Sequence, residues 1–162
     1  MTLRDFSVAD ADRVLELLGE DGLAMLTPSS LETAYAWINS HSLPSMYIRA
    51  VCDQSGSVVG AVGLTIQKNQ RNAELSFWIG KEDWGKGLAS QAAIEMVRYG
   101  FTVLRLHRIF GKHYSNNPAS GRVMQKAGMM LEGRWREEAE KENQFYDLLF
   151  YSILEHEHPQ CP

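Results

Sequence analysis

The sequence of 162 residues has no run of about 18 apolar residues, the length that a membrane-spanning helix needs. It has only two cysteines, Cys52 and Cys161, which are too few for a disulfide scaffold, so both are predicted to be free thiols. The first stretch, MTLRDFSVADADRV, lacks a basic start and an apolar core, which predicts no secretory signal. Together these absences predict a cytoplasmic protein without a membrane partner.

Nucleotide-binding signatures are absent as well. No G-x-x-x-x-G-K-[ST] sequence occurs, and the pair Gly85 and Gly87 lacks the G-x-G-x-x-G spacing of a dinucleotide-binding fold. The net charge is −4, and no Lys/Arg stripe interleaves with aromatic residues, so no nucleic-acid partner is predicted. Neither His107 nor His113 has a second ligand pattern nearby, so no metal site is predicted and both histidines are expected to pack in the fold.

What remains is the composition of an ordinary globular protein, 44% hydrophobic and 22% charged. This length fits a single domain, residues 1–162, with a hydrophobic core of its own. Apolar periodicity and turn signals predict the order strand, two helices, three strands, helix, strand, helix and two strands. Because strands do not alternate strictly with helices, we expect a mixed α/β or α+β sheet with helices packed on its faces.

Capping and turn residues predict where the helices begin and end. Ser7 is predicted to cap the first helix, and the second helix is predicted to begin at Pro28. A long helix is predicted from Lys86 to about Val103. In a short helix further on, Pro118 suits the first turn and Gly128 suits the position just past the end.

The stretch EDWGKGLASQAAIEMV, residues 82–97, places two glycines directly before a strong helix pattern. Backbone N–H groups at a helix start have no intrahelical partner, and the helix dipole adds about half a positive charge there. Glycine lets an anion approach these groups with no Cβ in the way, while Lys86 adds charge and Ser90 a hydroxyl. Residues 85–90 are therefore interpreted as a diphosphate cradle, with a plain tight turn as the alternative.

A second motif lies in NNPASGRVMQKAGM, residues 116–129. It places Asn117 directly before a helix and Ser120 three residues later, on the first turn. Side chains at such a turn can point into a cleft above the preceding strand. Asn117 also has the residue type of a helix N-cap, and capping and ligand contact are compatible with each other.

Three segments resemble the GNAT N-acetyltransferases, especially the RimJ/RimL ribosomal-protein branch: ELSFWIGKEDWGKGLASQA (74–92), HRIFGKHYSNNPASGRVMQKAGMMLEG (107–133) and REEAEKENQFYDLLFYSIL (136–154). The resemblance covers essentially the whole chain. It implies the α+β GNAT fold, a central mixed, mostly antiparallel sheet of about six or seven strands with helices on both faces. It also implies transfer of an acetyl group from acetyl-CoA to a primary amine, with a protein N-terminal α-amine as the expected acceptor.

The resemblance also implies how acetyl-CoA is held. The family's pyrophosphate frame, Q/R-x-x-G-x-G/A, falls on residues 84–89, with Trp84 in place of Gln or Arg. For Lys126, a solvated charge on a helix is the alternative. The implied contacts are Phe77, Trp78, Ile79 and Asn117 for the pantetheine, Gly85, Lys86, Gly87, Leu88, Ala89 and Ser90 for the pyrophosphate, and Lys126 for the adenosine-phosphate end.

Acetyl transfer requires a base for the amine, a donor at the developing oxyanion and a partner for the leaving thiolate. Many family members place a Tyr acid seven positions after the Asn, where this chain has Met124. The resemblance to the RimL type then implies Ser120 for the thiolate. Glu74 and Glu138 are the candidates for the base, each with a surface charge as the alternative, because the RimL-type base position is Ala139 here.

The acceptor stays open at this point. A polyamine or an antibiotic is the alternative acceptor, and a non-catalytic acyl-CoA-binding regulatory module is the alternative function. A homodimer is expected by analogy with relatives alone. Five aromatic residues are candidates for an acceptor pocket or for the core: Trp37, Trp78, Trp135, Phe145 and Tyr146.

Overall fold

A computed structural model of the chain describes residues 1–19, 30–40, 45–67, 70–141 and 143–159. The predicted helix start at Pro28 and the thiol of Cys161 lie outside these residues. Within them, the order of helices and strands confirms the prediction. The elements are β1 (Thr2–Arg4), α1 (Ala11–Gly19), α2 (Leu31–Ser40), β2 (Met46–Cys52), β3 (Val58–Ile66), β4 (Asn72–Ile79), α3 (Leu88–Thr102), β5 (Arg108–Tyr114), α4 (Pro118–Lys126), β6 (Met130–Lys141) and β7 (Gln144–Leu154).

The strands form a mixed sheet in the order β1-β2-β3-β4-β5-β7-β6, which confirms the α+β class. β4 and β5 are parallel, with Asn72 opposite Arg108 and Glu74 opposite Phe110. The pairs β1–β2, β2–β3, β5–β7 and β6–β7 are antiparallel. None of the helices in the described ranges is long and apolar enough to cross a membrane.

The start of α3 differs from the expectation. The helix begins at Leu88 and not at Lys86, because Gly85 and Gly87 both have a φ of +77°, far from helical values. The sequence pattern located the helix but could not show that both glycines adopt the left-handed region. The two residues therefore belong to a loop that delivers the chain into α3.

Ser7 is the N-cap, as predicted, but the chain first forms a 3₁₀ turn, Val8–Asp10, and only then α1. The Ser7 hydroxyl donates to Asp10 Oδ2 at 3.2 Å, and the guanidinium of Arg4 donates to both carboxylate oxygens of Asp10 at 2.7 Å. Arg4 is the main cause of the lowered pKa of Asp10, so this carboxylate anchors the turn to β1.

The chain divides into two compact units, and the expected single domain stays a prediction. The first unit comprises 1–65 and 76–92, and the second comprises 66–75 and 93–162. In the first unit, α1 and α2 bury their apolar faces against strand residues, and the free thiol of Cys52 lies in this core. The core residues are Ala11, Val14, Leu17, Leu18, Ala34, Ile38, Ala50, Cys52, Val58, Ala61 and Trp78.

In the second unit, α4 packs on one face of β5. Gly111 and His113 are buried while Lys112 between them is exposed, which is the alternation of a strand with one covered face. A Cβ on Gly111 would lie 3.0 Å from Cε of Met124, so the glycine makes room for the methionine. Met124 is only 2% exposed and is therefore part of the core.

A charged cluster joins three strands of the second unit. The β6–β7 register shifts around Glu132, and a bulge of this kind redirects the side chain of the extra residue. The guanidinium of Arg108 donates to Oε1 and Oε2 of Glu132 at 2.6 and 2.5 Å, and the Ser152 hydroxyl donates to Oε1 at 2.6 Å. The bonds from Arg108, and then that from Ser152, lower the pKa of Glu132 to about 2 from its ordinary 4.5.

This pKa has a consequence for stability. A carboxyl group with a lower pKa in the folded chain stabilises the fold above its unfolded pKa, and the stabilisation is lost as the pH falls through the folded value. The difference in unfolding free energy between the wild type and Glu132→Gln should therefore shrink as the pH falls from 4.5 to about 2. Urea unfolding over a pH series measures it.

Glu140→Gln is the matched control for this series. Glu140 is exposed on the same strand and has no ion pair within the described part of the chain. Its difference from the wild type should stay flat over the same pH range. A flat difference for Glu132→Gln as well would contradict the Arg108–Glu132 assignment.

Candidate active site

The loop between β4 and α3, in the first unit, contains the two left-handed glycines. A Cβ built on Gly85 or Gly87 would meet no heavy atom within 4 Å, so the space beside both is open. The Gly87 carbonyl accepts from the Gln91 N–H at 3.1 Å, which makes Gly87 the last residue before the helix. The N–H groups of residues 88–90 therefore belong to the first turn, where helix geometry gives them no partner. Open backbone donors and the positive end of the helix dipole coincide here.

Two side chains fix this loop. The Trp84 indole donates from Nε1 to the Ile79 carbonyl at 2.7 Å, which ties the loop to the end of β4 while the ring stays 63% exposed. Lys86 Nζ lies 2.6 Å from Asp83 Oδ1. The Lys86 charge is therefore offset locally, and the backbone is the main source of positive potential. The sequence shows Trp84 in place of the family's Gln or Arg, but it did not predict the hydrogen bond to the Ile79 carbonyl.

The predicted pantetheine segment is the last part of β4. Phe77 is half-buried, and Trp78 and Ile79 are buried. Trp78 packs in the core of the first unit with its ring centroid 6.3 Å from that of Trp37. Of the two roles considered for these residues, acceptor pocket or core, this packing supports the core. The Ile79 carbonyl already accepts from Trp84, and the Trp78 carbonyl lies against Gly60 of β3.

The turn into α4, in the second unit, contains the other predicted pair. Asn117 is the N-cap: its Oδ1 accepts from the Ser120 N–H at 3.3 Å, and its own N–H donates to the Tyr114 carbonyl at 2.8 Å. Asn117 is exposed, and its amide Nδ2 makes no hydrogen bond to any described residue. The Ser120 hydroxyl likewise has no partner among them. Cap and ligand contact are thus compatible, because they use different atoms of the same amide.

Glu74 and Ser120 lie on opposite faces of the sheet in the second unit. Glu74 Oε1 is 3.2 Å from Lys112 Nζ, which places Glu74 on the Lys112 face of β5. α4, with Ser120 on its first turn, packs on the Gly111 face. The structure therefore does not bring these two predicted catalytic residues side by side.

Glu138 lies in an irregular part of β6. Trp135 pairs with Leu148 and Ala139 pairs with Tyr146, so β6 has extra residues between these pairs. Glu137 has a φ of +52°, and Glu138 is exposed with no ion pair within the described residues. The side chain of Glu138 is thus free in solvent, which is the surface-charge alternative.

Asp147 holds this irregular segment, and no sequence pattern indicated it. Its Oδ1 accepts from the Glu137 N–H at 2.8 Å, and its Oδ2 accepts from the Arg134 guanidinium. The bond from Glu137, and then that from Arg134, lowers the pKa of Asp147. Its backbone carbonyl also accepts from the Ser115 N–H at 2.9 Å, directly beside the turn into α4.

The remaining predicted residues are on the surface of their elements. Lys126 is exposed in the last turn of α4. Trp135 and Phe145 are 54% and 59% exposed, so neither is a core residue, and the Tyr146 ring contacts that of Tyr114 edge-on at 6.0 Å. No group of three potential metal ligands is found in the described residues.

Comparison with known proteins identifies the family. The sequence profile of the Acetyltransferase (GNAT) domain matches residues 1–130. The chain is 28% identical to "Uncharacterized N-acetyltransferase p20" of Bacillus licheniformis, over 98% of this chain and 94% of the relative. It is 28% identical to "Putative ribosomal N-acetyltransferase YdaF" of Bacillus subtilis, over 97% and 92%.

A solved structure gives the same result. Spermidine N-acetyltransferase from Vibrio cholerae, in complex with CoA and spermine, superposes with a TM-score of 0.86 and 25% identity over 96% of each chain. The matched profile spans well over half of the sequence. This chain therefore belongs to the GNAT family and is an acetyl-CoA-dependent N-acetyltransferase.

Proposed function

We propose that the acceptor is a protein N-terminal α-amine, as in the RimJ/RimL branch. The observation that supports this choice over a polyamine is the ion pair of Glu74 with Lys112, 3.2 Å apart. A polyamine has several positive charges and favours uncompensated carboxylates, whereas here an ammonium already neutralises Glu74, the first candidate base, and only Glu138 of the two candidates has no ion pair in the described residues. A peptide α-amine brings a single charge. The ribosomal relative supports the same choice.

A polyamine is the second candidate acceptor. Its support is the likeness to the Vibrio cholerae enzyme, which was solved with spermine. The net charge of −4 is also compatible with a cationic acceptor. The two candidates share the acetyl-CoA half of the reaction and differ in the charge that surrounds the reacting amine.

In the proposed reaction, bound acetyl-CoA supplies the acetyl thioester. The N–H groups of residues 85–90 hold the diphosphate, and the Asn117 amide donates to the pantetheine. Lys126 lies at the adenosine-phosphate end as an exposed charge. Glu74, on the opposite face of the sheet from Ser120, accepts through water the proton that an alkylammonium must lose before it can attack, and Glu138 is the second candidate for that role.

Ser120 is proposed to meet the leaving thiolate. Met124, at the position of the usual Tyr, is buried against Gly111 and has no proton to donate. The Ser120 hydroxyl is half-buried on the first turn of α4 and has no partner in the described residues. A hydroxyl in such a position can donate to a sulfur as negative charge develops on it.

An acceptor panel tests the proposed function. Thiol release from acetyl-CoA should be fastest, in kcat/KM, with peptides that have a free α-amine, and it should vanish with the same peptides acetylated at the N-terminus. If spermidine is acetylated with a higher kcat/KM than every peptide, the acceptor is a polyamine instead. CoA binding in calorimetry without thiol release for any acceptor would establish the non-catalytic module.

The diphosphate cradle is tested by Gly87→Ala. The new Cβ enters the open space beside the donors and should weaken CoA binding by about tenfold, or about 1.4 kcal/mol. A side chain in the left-handed region also costs about 1–2 kcal/mol of stability. Gly56→Ala is the matched control, since Gly56 has a φ of +88° and equally open space in the β2–β3 turn. Equal CoA affinity in the two variants by calorimetry would rule out the cradle.

The role of Ser120 is tested by Ser120→Ala and Ser120→Thr. Alanine removes the hydroxyl but keeps the backbone N–H that Asn117 caps, so acetyl-CoA affinity should hardly change. The kcat should fall by about 100-fold, the low end for a general acid. Threonine retains the hydroxyl and should keep most of kcat. Full kcat for the alanine variant would transfer this role to water or to another residue.

A further inference from the structure

His113 is a buried polar residue that the proposed reaction does not use. It is 7% exposed, and its Nδ1 lies 2.8 Å from the Tyr114 carbonyl oxygen. Because a carbonyl only accepts hydrogen bonds, Nδ1 must hold the ring proton. In the neutral ring Nε2 is then an acceptor, and this buried atom has no partner in the described residues. An apolar side chain would avoid that cost, so the ring must contribute something else.

The ring contributes the hydrogen bond from its Nδ1 to the Tyr114 carbonyl. The Tyr114 carbonyl that accepts from His113 also accepts from the Asn117 N–H at 2.8 Å. Asn117 in turn accepts from the Ser120 N–H. One short chain of hydrogen bonds therefore runs from the His113 ring to the backbone of Ser120.

The ring is also seated directly against α4. A Cβ on Gly121 would lie 2.7 Å from His113 Nε2 and 3.3 Å from Cε1, which is closer than packed atoms allow. Glycine within a helix is destabilising relative to alanine, so its presence here is explained by the space that the ring needs. On the other side, the Tyr151 ring stacks on His113 at 5.6 Å and 30°.

We propose that His113 is a positioning residue for acetyl transfer. With its Nδ1–H donated to the Tyr114 carbonyl and its ring wedged between Gly121 and Tyr151, it holds the turn that presents Asn117 and Ser120. The inference rests on the proposed roles of these two residues. It assigns His113 no contact with acetyl-CoA or with the acceptor.

The tautomer is the first test. Long-range ¹H–¹⁵N NMR spectra of the protein, assigned through His113→Asn, should show a protonated Nδ1 on this ring. An unprotonated Nδ1 would remove the bond to Tyr114 and overturn the proposal.

A pair of substitutions separates positioning from packing. Gly121→Ala pushes on the ring and should lower both the melting temperature and kcat, the latter by about tenfold or more. In a His113→Val background the contact at 2.7 Å is removed and only the Tyr151 hydroxyl stays close, at 3.3 Å, so the melting temperature should largely recover while kcat stays low. Recovery of kcat together with the melting temperature would show that His113 only fills space.

His113→Asn is the conservative variant. Its Nδ2–H can replace the Nδ1–H donor to Tyr114, so both kcat and the acetyl-CoA KM should be closer to the wild type than in His113→Val, where the turn that presents Asn117 and Ser120 loses this bond. Equal kcat for Asn and Val at position 113 would contradict the proposed bond.

Amide hydrogen exchange tests the role of His113 independently of the proposed acetyl transfer. His113→Val should speed exchange at the N–H groups of Asn117 and Ser120 by about tenfold relative to those of β2. Unchanged exchange overturns the role of His113 even if acetylation is observed. Faster exchange with full activity in Ser120→Ala would instead support His113 as the anchor of the turn and refute the proposed role of Ser120.

Discussion

The start of a helix leaves backbone N–H groups without partners, and this constraint shapes both motifs of the chain. At α4 a side chain meets it, because Asn117 accepts from the Ser120 N–H. At α3 no side chain in the described residues does so; the sequence has Gly85 and Gly87 there, and open space lies beside them. The start of α4 is thus capped by a side chain of the protein, and the start of α3 has N–H donors available for an anion. The GNAT family, whose co-substrate contains a diphosphate, gives those donors a use.

The sequence predicted well what depends on local pattern. The order of eleven helices and strands followed from apolar periodicity, from Pro118 and from the turn residues, and the structure confirms it. The start of α3 was wrong by two residues, because a pattern does not report the backbone angles of glycine. Contacts between distant segments were out of reach. The bulge at Glu132, the pair of Glu74 with Lys112 and the Asp147 bonds all depend on strand register, which no local signal indicates.

The proposed chemistry of the second unit depends on which residue replaces the family's usual tyrosine. Met124 removes the usual acid and fills the space above Gly111. Ser120 has a hydroxyl without a partner in the described residues on the first turn of α4, and His113, the proposed anchor of that turn, has an unpaired ring nitrogen. Glu74 and Lys112 offset each other on the opposite face of β5. A single-charge amine fits that pair better than a polycation does, which is why we propose a peptide N-terminus as the acceptor.

A crystal structure of the protein with CoA tests the central claim most directly. The account predicts diphosphate oxygens roughly 3 Å from the N–H groups of Gly87 to Ser90, and the Asn117 Nδ2 donating to a pantetheine oxygen while its Oδ1 still caps α4. CoA bound with its diphosphate away from this loop, or with Asn117 facing solvent, would contradict the account.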